Sequence, residues 1–70
     1  MRVSVLGLGE AGSLYAAGIV ERGWTVTGYD PADTATPIGV SRVEIPDAAV
    51  RGAEVVLSLV GGRAAVEAAT

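Results

Sequence analysis

The sequence predicts an α/β fold built on a parallel sheet, and three observations carry that expectation. Apolar runs of strand length at residues 3–6, 24–29 and 54–60 alternate with stretches of helical spacing. Such alternation implies parallel strands joined by right-handed crossovers. Between the first strand and the first helix stands Gly7-Leu8-Gly9-Glu10-Ala11-Gly12, spaced G-x-G-x-x-G. An acidic residue, Asp30, closes the second strand eighteen residues after Gly12. The expected arrangement is the first half of a doubly wound sheet, in spatial order 3-2-1-4, as a fragment of a larger fold. Its ligand crevice lies at the carboxyl ends of strands one and four. That puts residues 7–12, Asp30 and residues 60–62 on one rim.

Seventy residues make one small domain. A chain of this size buries only about 60% of the surface its unfolded form exposes, so its stability is marginal. With no cysteine and no histidine, disulfides and the usual zinc sites are excluded. Half the residues are hydrophobic, mostly small and aliphatic, which is a folded α/β composition and not a disordered one. No apolar run approaches the ~20 residues of a membrane span, so no membrane partner is expected. Met1 leads directly into the first strand and leaves no room for a signal peptide, and the expected location is cytoplasmic. The five basic residues are all arginine and are scattered at Arg2, Arg22, Arg42, Arg51 and Arg63. They form no stripe that could follow a nucleic-acid backbone. The absence of lysine removes one class of catalytic side chain.

The first strand, residues 3–6, is almost continuously hydrophobic, as suits a parallel strand covered on both faces. The first helix is expected over residues 10–22. Ala11, Leu14, Tyr15, Gly18 and Ile19 fall at helical spacing and are expected to face the sheet. Tyr15 therefore reads as a packing residue and not a ligand contact. Gly23 supplies the left-handed residue that ends the helix. In the second strand, residues 24–29, Trp24, Val26 and Gly28 share one face. Pro31 cannot continue a ladder, and residues 32–37 form a loop too short for a full helix. A third strand is expected at 39–43, then a brief helix from Asp47 to about residue 50 with Asp47 as its cap. After the fourth strand, at 54–60, Gly61-Gly62 makes a turn and residues 63–70 begin another helix. The fourth strand is then left with an open edge, which favours self-association of the isolated chain and a homo-oligomer.

The glycine turn carries the chemistry. Gly7 permits the tight exit from the strand, Gly9 lets a pyrophosphate approach the backbone, and Gly12 lets helix and strand pack closely. The helix start then offers unpaired N–H groups and a positive dipole end to phosphate. Glu10 suits that dipole but not an anionic ligand, so its side chain is expected to point to solvent. Asp30 is placed to accept hydrogen bonds from a cofactor ribose. A bland alternative is that it caps the turn at Pro31. The expected cofactor is NAD and less readily NADP, because Asp30 and Asp33 would repel a 2′-phosphate. The sequence does not place Arg42 relative to Asp30. Ser58 reads as a packed strand residue.

Gly-Leu-Gly-Glu-Ala-Gly-Ser-Leu-Tyr-Ala-Ala-Gly, followed by Glu-Arg-Gly-Trp-Thr-Val-Thr-Gly-Tyr-Asp, resembles the opening of the β-hydroxyacid dehydrogenases. That family includes 6-phosphogluconate and 3-hydroxyisobutyrate dehydrogenases. Ala11 stands where the family usually has Met. The resemblance covers the whole chain but about a quarter of a typical member. It implies the amino-terminal part of a Rossmann domain in an enzyme that oxidises a small hydroxy acid with a nicotinamide cofactor. The family's acid/base lysine and its substrate-holding glycine segment belong to later segments, and neither is among these residues. Catalytic residues within the chain are therefore expected to be none, and the chain alone inactive. The cofactor residues it implies are Gly7, Leu8, Gly9, Glu10, Ala11, Gly12, Asp30, Pro31, Val60 and Gly61. A flavin domain would more usually end the second strand in Glu, and a methyltransferase would space its third glycine more tightly. A nucleotide-sensing or interaction module on the same fold is the alternative outside enzymes.

Overall fold

A computed structural model describes residues 1–60 and 63–68. Strand β1 (Arg2–Leu6) leads through the glycine turn into helix α1 (Glu10–Glu21), and strand β2 (Thr25–Tyr29) follows. After an irregular loop come β3 (Val40–Arg42), the short helix α2 (Pro46–Val50), β4 (Val55–Val60) and β5 (Arg63–Ala68). The sheet order is β3-β2-β1-β4-β5. Its first four strands are parallel, with Val3 opposite both Val26 and Val55, and Gly28 opposite Arg42. The expected order 3-2-1-4 is thus present and extended by one strand.

That extra strand corrects an expectation. Residues 63–68, read as the start of a helix, run antiparallel to β4 with Val60 opposite Arg63 and Val55 opposite Ala68. The edge of β4, expected to be open, is paired along its length. An isolated helix of under ~12 residues is marginal even when rich in alanine. An unpaired strand edge offers a full row of hydrogen-bond partners to the returning chain. The two glycines between Val60 and Arg63 match the length and composition of a hairpin connection. Tertiary pairing therefore overrides the helix preference of Ala64, Ala65 and Ala68. Gly61 and Gly62 themselves lie outside the described residues.

The core joins Val3, Val5, Val26 and Leu57 of the sheet to Leu8 of the turn and Ala16 of α1. Ile19, Val20, Val40, Val55 and Leu59 pack around it. Here the phase of α1 differs from expectation. The buried residues of α1 are Gly12 and Ala16, while Leu14 is 72% and Tyr15 52% exposed. Of the expected face Ala11, Leu14, Tyr15, Gly18 and Ile19, the half-buried Ile19 alone turns inward. The cause is the close approach of helix and turn. A Cβ on Gly12 would stand 1.8 Å from the Gly7 carbonyl oxygen, a gap that admits no side chain. The helix rotates until its smallest residues meet the sheet, and Tyr15 is carried to the surface.

Shorter elements follow expectation with small shifts. Gly23 takes φ 85° just past α1, as its place there demands. Helix α2 begins at Pro46, a residue suited to the first helical turn, so Ile45 holds the cap position and Asp47 falls inside the first turn. No side chain caps α2, which corrects the role expected of Asp47. The loop between β2 and β3 has no helix. No described helix is long and apolar enough to cross a membrane.

Candidate functional site

Parallel strands end on the same rim, so β1, β2 and β3 bring residues 7–12, Asp30 and Arg42 together. At the exit of β1, Gly7 has φ 108°, and a Cβ there would meet the Leu59 carbonyl oxygen at 2.6 Å. The tight turn thus requires glycine on both conformational and steric grounds. The Gly7 N–H donates to the Tyr29 carbonyl at 2.7 Å, which ties the turn to the end of β2. Leu8 then points inward. Its side chain is 1% exposed, and a Cβ on Gly28 would come within 3.0 Å of both Leu8 methyls. Ser13 Oγ donates to the Leu8 carbonyl at 2.9 Å and holds the loop from the helix side.

Gly9 is the N-cap of α1 and brings no capping side chain. The first helical hydrogen bond runs from Ser13 N–H to the Gly9 carbonyl at 2.9 Å. The amides of Glu10, Ala11 and Gly12 precede it and stand at the positive end of the helix. Around a Cβ built on Gly9 there is nothing within 4 Å. This open space belongs to a cleft of about 260 Å³ lined by Gly7, Gly9, Glu10, Ala11, Gly12, Asp30 and Leu59. Glu10 and Ala11 are exposed on its rim.

Asp30 stands between this cleft and a second one. Its Oδ2 accepts the Leu8 N–H at 2.7 Å, and its Oδ1 accepts the Ala32 N–H at 2.8 Å. The second bond is the turn cap that Pro31 suggested, and the first joins the carboxylate to the glycine turn. The capping reading of Asp30 therefore holds, and its carboxylate is tied to the glycine turn as well. A carboxylate has about four acceptor sites, so two bonds leave capacity for ligand hydroxyls. The second cleft, about 550 Å³, is lined by residues 29–34 with Thr36, Arg42, Val43 and Glu44. Arg42 is the residue that sequence reasoning could not place. From the end of β3 its guanidinium donates to the carbonyl oxygens of Asp30, Ala32 and Thr34 and to Thr34 Oγ1. The signal for this would have been the β2–β3 register, which puts Arg42 beside Gly28.

The remaining expected residues divide. Pro31 is exposed and lines the second cleft. Val60 ends β4 opposite Arg63, while Gly61 lies outside the described residues. Leu8 contributes its backbone to the site and its side chain to the core. Among the described residues, no cluster of three or more metal-ligating side chains occurs.

What remains is an anion-ready glycine turn with an acidic acceptor beside it, on a parallel sheet, which is the arrangement that grips a dinucleotide. Comparison with known proteins agrees. No curated protein and no solved structure matches the chain significantly. The family model described as the NAD binding domain of 6-phosphogluconate dehydrogenase matches residues 2–70. Since that match spans the sheet, the turn and Asp30 alike, the chain belongs to the family of the 6-phosphogluconate dehydrogenase NAD-binding domain.

Proposed function

We propose that the chain binds NAD in preference to NADP, as the amino-terminal cofactor part of a dehydrogenase that oxidises a small hydroxy acid. The observation that carries this reading is the Asp30 carboxylate, held by the Leu8 amide on the wall of the glycine-turn cleft. Gly9, with open space where a Cβ would project, fits a pyrophosphate against the backbone, and the amides of residues 10–12 would meet its charge. Asp30 would accept the ribose hydroxyls. A 2′-phosphate would instead meet the charges of Asp30 and Asp33. Arg42 lines the second cleft together with Asp30 and Asp33, but its two terminal nitrogens are directed at the loop's own oxygens. Like-charge repulsion at such a site costs on the order of 1–3 kcal/mol, about a five- to 150-fold preference for NAD.

Bound there, the cofactor supplies a hydride acceptor. The chain's own part is to hold and orient it and to select between its two forms. The hydroxy-acid substrate and the acid/base group are what the resemblance to the β-hydroxyacid dehydrogenases implies, and they would belong to other segments of such an enzyme. The test is paired titration with NAD and NADP, by calorimetry, of the chain and its Asp30→Ala variant. We expect the parent to prefer NAD and the variant to lose most of that preference. Equal or tighter NADP binding by the parent overturns the assignment.

A further inference from the structure

We propose that Arg42 is a positioning residue for the Asp30 carboxylate, acting through the 30–34 loop. Apart from one bond, from Thr34 N–H to the Ala32 carbonyl at 2.9 Å, this loop has no backbone hydrogen bonds of its own among the described residues. Its three alternate carbonyls, at Asp30, Ala32 and Thr34, converge on a single guanidinium. One terminal nitrogen takes Thr34 O and Thr34 Oγ1, the latter at 2.9 Å. The other takes Ala32 O and, at 3.0 Å, Asp30 O. The planar, forked donor set of arginine spans these four oxygens at once, which the compact ammonium of lysine does not. The Arg42 backbone is itself fixed, since β3 pairs with β2 and the next amide, Val43 N–H, donates to Gly28 O at 2.9 Å.

The bracket transmits to the site in two short steps. Arg42 holds the Ala32 carbonyl, and the amide of that same residue donates to Asp30 Oδ1. The other oxygen of Asp30 accepts the Leu8 amide in the glycine turn. Without the guanidinium, three carbonyls lose their shared donor, the loop turns to water, and Asp30 is no longer kept across the turn. Ribose recognition then weakens more than phosphate recognition, because the glycine turn is anchored separately through Gly7 and Leu8. The ligand side of this proposal rests on the NAD reading above, and the loop side does not.

The experiment has two arms. In the first, amide hydrogen exchange is followed by NMR on the ligand-free chain and on Arg42→Met, which keeps an apolar stem without donors. Leu8 and Ala32, the two amides that donate to Asp30, should exchange about tenfold faster or more, while Gly7 keeps its protection. In the second arm, NAD and NADP are titrated against the chain, Arg42→Met and Arg42→Lys. NAD affinity should fall about tenfold in the Met variant and NADP affinity less, so that their ratio narrows. The Lys variant, which keeps the charge but not the fork, should stay nearer Met than the parent. Unchanged protection at Leu8 and Ala32 overturns the proposal, as does uniform acceleration of all amides. If the parent binds no NAD, the cofactor reading fails, and the exchange arm alone decides the role of Arg42.

Discussion

Three glycines one turn apart have three different reasons to be glycine, and each can be separated by substitution. Gly12 is packed to the point that a Cβ would overlap the Gly7 carbonyl, and Gly7 has a left-handed backbone as well. Gly9 has neither constraint: its φ is −68° and nothing stands within 4 Å of its Cβ position. Gly12→Ala should therefore lower stability by about 2–4 kcal/mol in a denaturant titration. Gly9→Val should change stability by about 0.5–1 kcal/mol at most, yet weaken NAD binding at least about tenfold. Unchanged NAD affinity in Gly9→Val would remove the pyrophosphate from this turn. The spacing alone made the tight turn at Gly7 and the close packing at Gly12 legible. Leu8 was not legible in the same way. Its place in the motif says that it lies in the loop, but not that its side chain leaves the loop for the core. Arg42 was hidden for a related reason. Three of its four partners are backbone carbonyls, which carry no residue identity that a sequence could show.

Among the elements, α1 shows where periodicity stops being informative. The series 11-14-15-18 and 12-16-19-20 both fit a helical repeat, and both are made of apolar or small residues. Volume decides between them, since only Gly12 and Ala16 fit against the turn and sheet. Ala16→Leu should thus cost about 1–3 kcal/mol by overpacking, whereas Leu14→Ser should cost about 0.5 kcal/mol or less. Thermal or denaturant unfolding of the two variants checks the phase, and a larger loss at Leu14 would return the helix to the other face. Strand β5 is the opposite case. The local preference of residues 63–68 for helix is real, but the edge of β4 is a stronger partner than solvent. Pairing of this kind depends on what lies beside a segment in space, which propensity does not encode. Strands β1, β2 and β4, with their continuous or alternating apolar runs, were legible to within one residue at each end.

As a whole molecule, the chain is a cofactor-binding fold with little means of chemistry. It has neither lysine nor histidine, and of the two carboxylates that line the glycine-turn cleft, Glu10 is exposed on the rim and Asp30 is engaged by two backbone amides. A general acid or base must reach a reacting proton with a suitable pKa. Mixed with NAD and small hydroxy acids, the purified chain should show no reduced-nicotinamide absorbance above the uncatalysed rate. Measurable turnover would place an acid/base group within these seventy residues. The family could be read from residues 2–30 because glycine spacing and strand pattern agree there, and the order of the four parallel strands from the alternation of elements up to residue 60. The open β4 edge from which self-association was expected is occupied by β5.

Leu8, seated in the core from the middle of the glycine turn, gives the two sides of the cleft different clocks. To shift the turn is to pull a fully buried side chain from between β1 and Gly28, so that segment moves on the timescale of unfolding. None of residues 30–34 is buried, and on the role proposed for Arg42 the loop they form should open once that arginine lets go. A nucleotide held by both would leave in order, its ribose end first and its phosphates last.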